Sequence, residues 1–151
     1  MKNSRKYIIT SFLILATLFA GALRAEELAV TLDALKVTRD HLGAEVLVVA
    51  DSAEPGAIIE YRAVCKNITT SVLNNVFTEI PVPEGLVWLA SSAQPVATEA
   101  RLANGQLVPF PALDADGQPL PAAQIRGLRW KLESIAAGES IVVLLRASVA
   151  R

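Results

Sequence analysis

The chain has one cysteine (Cys65), one histidine (His41) and one methionine (the initiator) among 151 residues, and aromatic residues make up 5%. One cysteine excludes an internal disulfide framework and any thiolate metal cluster within the chain. One histidine leaves a metal site or a nucleophile–histidine–acid triad dependent on partners brought from elsewhere in the fold. No acidic residue precedes Glu26, whereas Lys2, Arg5 and Lys6 are positive. An apolar run follows from Tyr7 to Leu23 and ends in small residues, Ala20-Gly21-Ala22, with Ala25 close behind. Positive start, apolar middle and small-residue end describe a secretory signal peptide over residues 1–25, cut after Ala22 or Ala25. An uncleaved N-terminal anchor is the alternative. With no cysteine at the cleavage region and no twin-arginine pair, a lipid-anchored or twin-arginine route is not indicated.

The expected domain is residues 26–151, long enough to hold a core without staples. Four of the 14 basic residues and none of the 15 acidic ones lie in the signal, so ten basic and 15 acidic residues remain, a formal charge of −5. An acidic domain with few aromatics and no basic cluster fits neither a nucleic-acid backbone nor an anionic lipid surface. After signal cleavage no membrane span is expected. The expected location is exported, either periplasmic or extracellular at the cell surface.

Helical periodicity is also missing. Strands are predicted over Leu28–Thr38, Ala44–Ala50, Ile58–Lys66, Ser71–Pro81, Leu86–Ala90, Val96–Leu102, Gln106–Phe110, Ile125–Leu132 and Ser140–Val149, most clearly by period two in the first, third and last, and by an apolar β-branched run in the second. Pro83-Glu84-Gly85, Asn104-Gly105 and Ala137-Gly138 mark turns, the second a hairpin signal. The proline-rich stretch from Pro109 to Ala123 reads as a long surface loop. Together these predict an all-β sandwich or barrel, of about seven to nine antiparallel strands. Alternation places Ile59, Tyr61, Ala63 and Cys65 on one apolar face, opposite Ile58, Glu60, Arg62, Val64 and Lys66. It likewise sets Leu128, Trp130 and Leu132 against Arg129 and Lys131.

Several motifs stand in order at family-like spacing. Pro55-Gly56, Ile59-Glu60-Tyr61 and Asn67 are followed by Asn75-Val76-Phe77-Thr78-Glu79-Ile80-Pro81, then Pro83, Glu84 and Gly85. Ser91, Ser92 and Ala93 come next, then Leu128-Arg129-Trp130-Lys131-Leu132 and Ala137-Gly138-Glu139-Ser140. This series resembles the DUF11-type bacterial domain family, over roughly Glu54 to Val149. Glu79 stands where that pattern has Asp, Ala137 where it has Pro, and Cys65 where it has Val, Tyr or Thr. The resemblance implies an immunoglobulin-like sandwich in an exported or surface protein, with no shared catalytic site.

Candidate chemistry is sparse. Asp114-Ala115-Asp116-Gly117 begins like a calcium loop, but its twelfth position would be Ile125 rather than a bidentate Glu, so a polar turn is expected. His41, within Thr38–Gly43, reads as an exposed loop residue. Arg129 and Lys131, near Arg126, read as a solvated charged face. Asn67-Ile68-Thr69 matches a glycosylation sequon, and Asn67 at the end of its strand can tolerate a left-handed backbone and bond to it. Cys65 lacks positive neighbours on its own face and reads as a small core residue. No catalytic, cofactor-binding or metal-ligating residue is assigned. The expected function is a non-catalytic exported module for cell-envelope structure or interaction, its partner an envelope protein or surface component. The alternative is a small periplasmic ligand-binding or accessory protein.

Overall fold

The computed structural model describes residues 27–150. The expected signal segment and both cleavage positions lie outside them. Among the described residues there are nine strands, all paired antiparallel: β1 Leu28–Arg39, β2 Glu45–Val49, β3 Ile58–Asn67, β4 Leu73–Pro81, β5 Leu86–Trp88, β6 Glu99–Leu102, β7 Leu107–Pro109, β8 Ile125–Ile135 and β9 Ser140–Val149. They form a five-stranded sheet, β2-β1-β3-β9-β5, and a four-stranded sheet, β4-β8-β6-β7. The protein is thus a β-sandwich, one of the two all-β forms that the sequence predicts. Among the described residues no helix is long and apolar enough to cross a membrane.

The core follows from the period of two. From the five-stranded sheet, Ile59, Tyr61, Ala63 and Cys65 of β3 meet Val143, Leu145 and Ala147 of β9. From the other sheet, Ile80, Leu128, Trp130 and Leu132 face them. Trp130 is 1% exposed, and its indole N–H donates to Pro95 O at 2.7 Å, so its polar edge is satisfied inside the core. Cys65 is fully buried, and burial pushes its thiol up while a hydrogen bond with Thr78 acts against the shift. Burial raises the Tyr61 phenol to about 12.

Four details sharpen the reading of the sequence. The Asn104-Gly105 hairpin has a three-residue loop, 103–105, rather than two: Gly105 N–H donates to Leu102 O, and only Gly105 is left-handed. The Asn104 side chain explains this, because its Oδ1 accepts from Gln106 N at 2.9 Å and holds Asn104 in an ordinary turn. Asn67 is an extended strand residue; the left-handed non-glycine positions are Asn75 and Ser91. The Pro109–Ala123 stretch is partly ordered, with a bridge between Leu113 and Pro119 and a 3-10 turn at Ala122–Gln124. Arg126 does not share a face with Arg129 and Lys131. The β6–β8 register shifts between Arg101 and Leu102, and Arg126 turns aside to donate to Leu86 O at 3.3 Å.

The two sheets do not match in width. In the register with β3, the residues of β1 on the inner side are Leu28, Val30, Leu32, Ala34 and Lys36, and β2 adds Val46 and Val48. The four-stranded sheet does not reach over them. Val30 and Leu32 stay 52% and 48% exposed, and Val46 and Val48 stay 37% and 42% exposed. An apolar inner face therefore continues past the edge of the sandwich, and β2 ends the sheet with one edge unpaired among the described residues.

Candidate functional site

The outer face of the five-stranded sheet carries the densest polar chemistry. Glu60 lies on that face, so alternation assigns it to solvent; yet it is 2% exposed. Burial of a lone carboxylate is costly, and two arginines offset it. Arg62 donates to Oε1 at 2.6 Å, and Arg146 reaches Oε2 from Nε at 3.0 Å and Nη2 at 2.9 Å. Arg146 also binds Glu45 at 2.5 Å, which holds the Glu45 carboxyl below its ordinary range. The chain Glu45–Arg146–Glu60–Arg62 thereby ties β2, β9 and β3 together. No sequence signal marks Glu60 as buried, because its cover comes from β9 and from the segment after β5.

That segment is built by Ser91 and Ser92. Leu89 N–H donates to Arg146 O, and Gln94 exchanges both backbone bonds with Leu144. Between these anchors the chain swings out, with Ser91 at φ 65°. The Ser92 hydroxyl fills the gap in the ladder, accepting from Arg146 N at 2.9 Å and donating to Arg146 O at 3.2 Å. The small residues noted in sequence thus allow a loop to ride on the edge of β9. Under it lies an open cavity of about 540 Å³, lined by Glu60, Arg62 and Arg146 with Ser91, Ser92, Gln94 and leucines 47, 89 and 144. Its charges are matched in pairs. Arg62 Nε is buried without a hydrogen-bond acceptor among the described residues.

On the other side of the same loop is an apolar cavity of about 440 Å³. Trp88, Ala93, Val96, Phe110, Leu120 and Ile125 are among its walls, and no charged residue lines it. Trp88 and Phe110 meet edge to face, 5.6 Å between centroids. Trp88 is 8% exposed, and its indole N–H has no acceptor among the described residues. An indole N–H is a donor only, and leaving it unmade in the interior costs about 1–3 kcal/mol.

The residues singled out in sequence do not converge. His41 sits exposed at the tip of the β1–β2 hairpin, where Asp40 Oδ1 caps Leu42 N and Ala44 N. Asp114 Oδ1 accepts from Asp116 N and Gln118 N, both at 2.9 Å, in a polar turn of the same design. Among the described residues, no three His, Cys, Asp or Glu side chains gather to hold a metal ion. Arg129 pairs with Glu99 at 3.3 Å and lies 4.1 Å over the Phe77 ring, and Lys131 pairs with Glu133. Beside them Arg101 grips Glu79 at 2.5 and 2.7 Å. This outer face of the four-stranded sheet is internally paired and lines neither cavity.

Asn67 is a structural clamp. Its side-chain amide donates to Ser71 O and Ile135 O, and its Oδ1 accepts from Thr69 N and Thr69 Oγ. Fully buried and fully bonded, it offers no nitrogen for glycosylation in the folded protein. Against family models, curated proteins and solved structures, the chain gives no significant match.

Proposed function

We propose that the protein is a non-catalytic exported module of DUF11 type, acting in the cell envelope by holding a partner rather than by transforming a substrate. The apolar inner face of β1 and β2, left uncovered beyond the sandwich, carries this reading. Isolated exposed apolar residues are ordinary. Here Val30 and Leu32 lie on the inner side of β1, and Val46 and Val48 on the inner side of β2 opposite Thr38 and Lys36, all exposed and beside an unpaired strand edge. Neither Pro nor Lys interrupts Glu45–Val49 to block pairing. The occupant that fits is an extended segment of another envelope polypeptide, added to β2 as a tenth strand with apolar residues at alternate positions. Its backbone would pair with β2, and its inward side chains would cover Val46 and Val48.

The test replaces Leu32 and Val48 by Glu in the full chain, expressed in its native cells. Both sites are half exposed, so folding persists. The wild type is expected to migrate in native gels of envelope extract as a larger complex that the double variant loses. A complex of equal size and amount with the double variant would defeat the proposal. A complex containing only copies of this chain would assign the face to self-association instead of an envelope partner.

A further inference from the structure

We infer that the open cavity under the loop at 89–94 is a binding site for a small carboxylate with an aliphatic body. It is independent of the partner-holding face: that face is the inner side of β1 and β2, whereas this cavity lies on the outer side of β2, β3 and β9. The hydrogen-bonding groups of its wall point to an anion. Glu60, the one carboxylate in the wall, is 2% exposed, with Oε1 held by Arg62 and Oε2 by Arg146. It fixes both guanidinium groups and is itself closed to a ligand. The arginines keep free capacity. Their side chains are 37% and 30% exposed. Arg62 donates from Nη2 to Glu60, and Arg146 donates from Nε and Nη2 to Glu60 and Glu45. Nη1 of each arginine has no acceptor among the described residues, and neither Nη1 is sealed from solvent. The Gln94 side chain, also in the wall, makes no hydrogen bond among the described residues either.

A guanidinium donates and cannot accept, so this wall offers open donors while its carboxylate acceptor is occupied. A ligand that answers it brings acceptors. The charges agree. Arg62 and Arg146 set two positive charges against the one negative charge of Glu60, a balance of +1 in the wall; Glu45, which completes the pairing, stands outside it. One negative charge on a ligand neutralises that balance, and a carboxylate matches the planar fork of an arginine. The rest of the ligand meets carbon. Leu47, Leu89, Ala90 and Leu144 supply aliphatic wall around the arginines. The volume, about 540 Å³, lies within the range of small-molecule sites. An alkyl chain that leaves its carboxylate at Arg62 and Arg146 fits both halves of the lining.

The probe is octanoate, titrated into the full chain by calorimetry at neutral pH, beside octanamide, which has the same alkyl chain without the charge. Octanoate is expected to bind saturably at one site, at least about tenfold more tightly than octanamide, because charge-assisted hydrogen bonds exceed neutral ones. Gln94→Glu preserves size and shape and removes an amide that bonds nothing, so the fold stays intact. It sets a competing carboxylate in the wall, and should weaken octanoate by a similar factor while leaving octanamide unchanged. Val96→Glu places the same charge at an exposed position that lines the apolar cavity instead, and should alter neither probe. These responses together support the site. Absence of saturable octanoate binding would overturn the inference, as would equal affinity for octanamide, octanoate affinity untouched by Gln94→Glu, or octanoate binding lost with Val96→Glu.

Discussion

Asn67 shows how much one side chain can hold. It joins the end of β3, the turn at 68–72 and the end of β8, with all four of its side-chain hydrogen-bonding positions engaged. Asn67→Ala strands the Ile135 carbonyl in the interior and should cost about 3 kcal/mol in chemical denaturation. Asn67→Asp should cost at least as much at neutral pH, because a carboxylate cannot donate to the two carbonyls. A loss below about 1 kcal/mol for both variants would contradict the clamp. Tyr61 gives a second test at this scale. Its folded phenol is raised to about 12 by burial, above an unfolded value of about 10. A raised folded pKa stabilises the fold fully below the unfolded value and ceases to do so as pH rises through the folded one. The melting temperature should therefore fall between pH 10 and 12, and Tyr61→Phe should remove that part of the fall. The sequence made Asn67 and Tyr61 conspicuous through their spacing from Pro55-Gly56. It could not reveal the clamp, because Ile135 lies 68 residues away from Asn67.

Among the elements, β8 carries the most information. Its Leu128, Trp130 and Leu132 alternate into the core as the sequence predicts, yet Gly127 has a purpose visible only in the sheet. A Cβ there would stand 2.9 Å from Glu79 Oε1, the oxygen that Arg101 holds. Glycine keeps the space above β8 open so that the pair can close from β4 to β6. Gly127→Ala should cost up to about 1 kcal/mol, the worth of a partly exposed ion pair. In an Glu79→Ala background the same change should be neutral or stabilising, since alanine suits a strand better than glycine. Equal costs in the two backgrounds of this double-mutant cycle would refute the account. The strands among the described residues were legible in the sequence, β3, β8 and β9 most clearly from alternation, because each of these has one face in the core. The ends of β6 and β7 were not. Asn104 and Gly105 lie in a three-residue loop, and residues 96 and 97 stand outside the strand just after Pro95, which receives Trp130. Glu60 escaped for a related reason: alternation tells which face a residue takes, and a loop from elsewhere decides whether that face is dry.

At the scale of the whole molecule, a sandwich with unequal sheets leaves part of its inner face uncovered. Nothing in the alternation of Leu28–Thr38 distinguishes the covered half of β1 from the open half. Val30 and Leu32 stay about half exposed, whereas Leu28 and Ala34 of the same inner side pack against the core. The proposed partner-holding role would be located on this open face. The direct measurement is photo-crosslinking in the native envelope, with a reactive residue placed at Val49 on the free edge of β2, which is 71% exposed. A control at Lys131 places the same group on the internally paired outer face of the other sheet. The account predicts a discrete adduct with a second polypeptide from position 49, abolished by Leu32→Glu with Val48→Glu, and none from position 131. Equal labelling from both positions, or none from position 49, would contradict it.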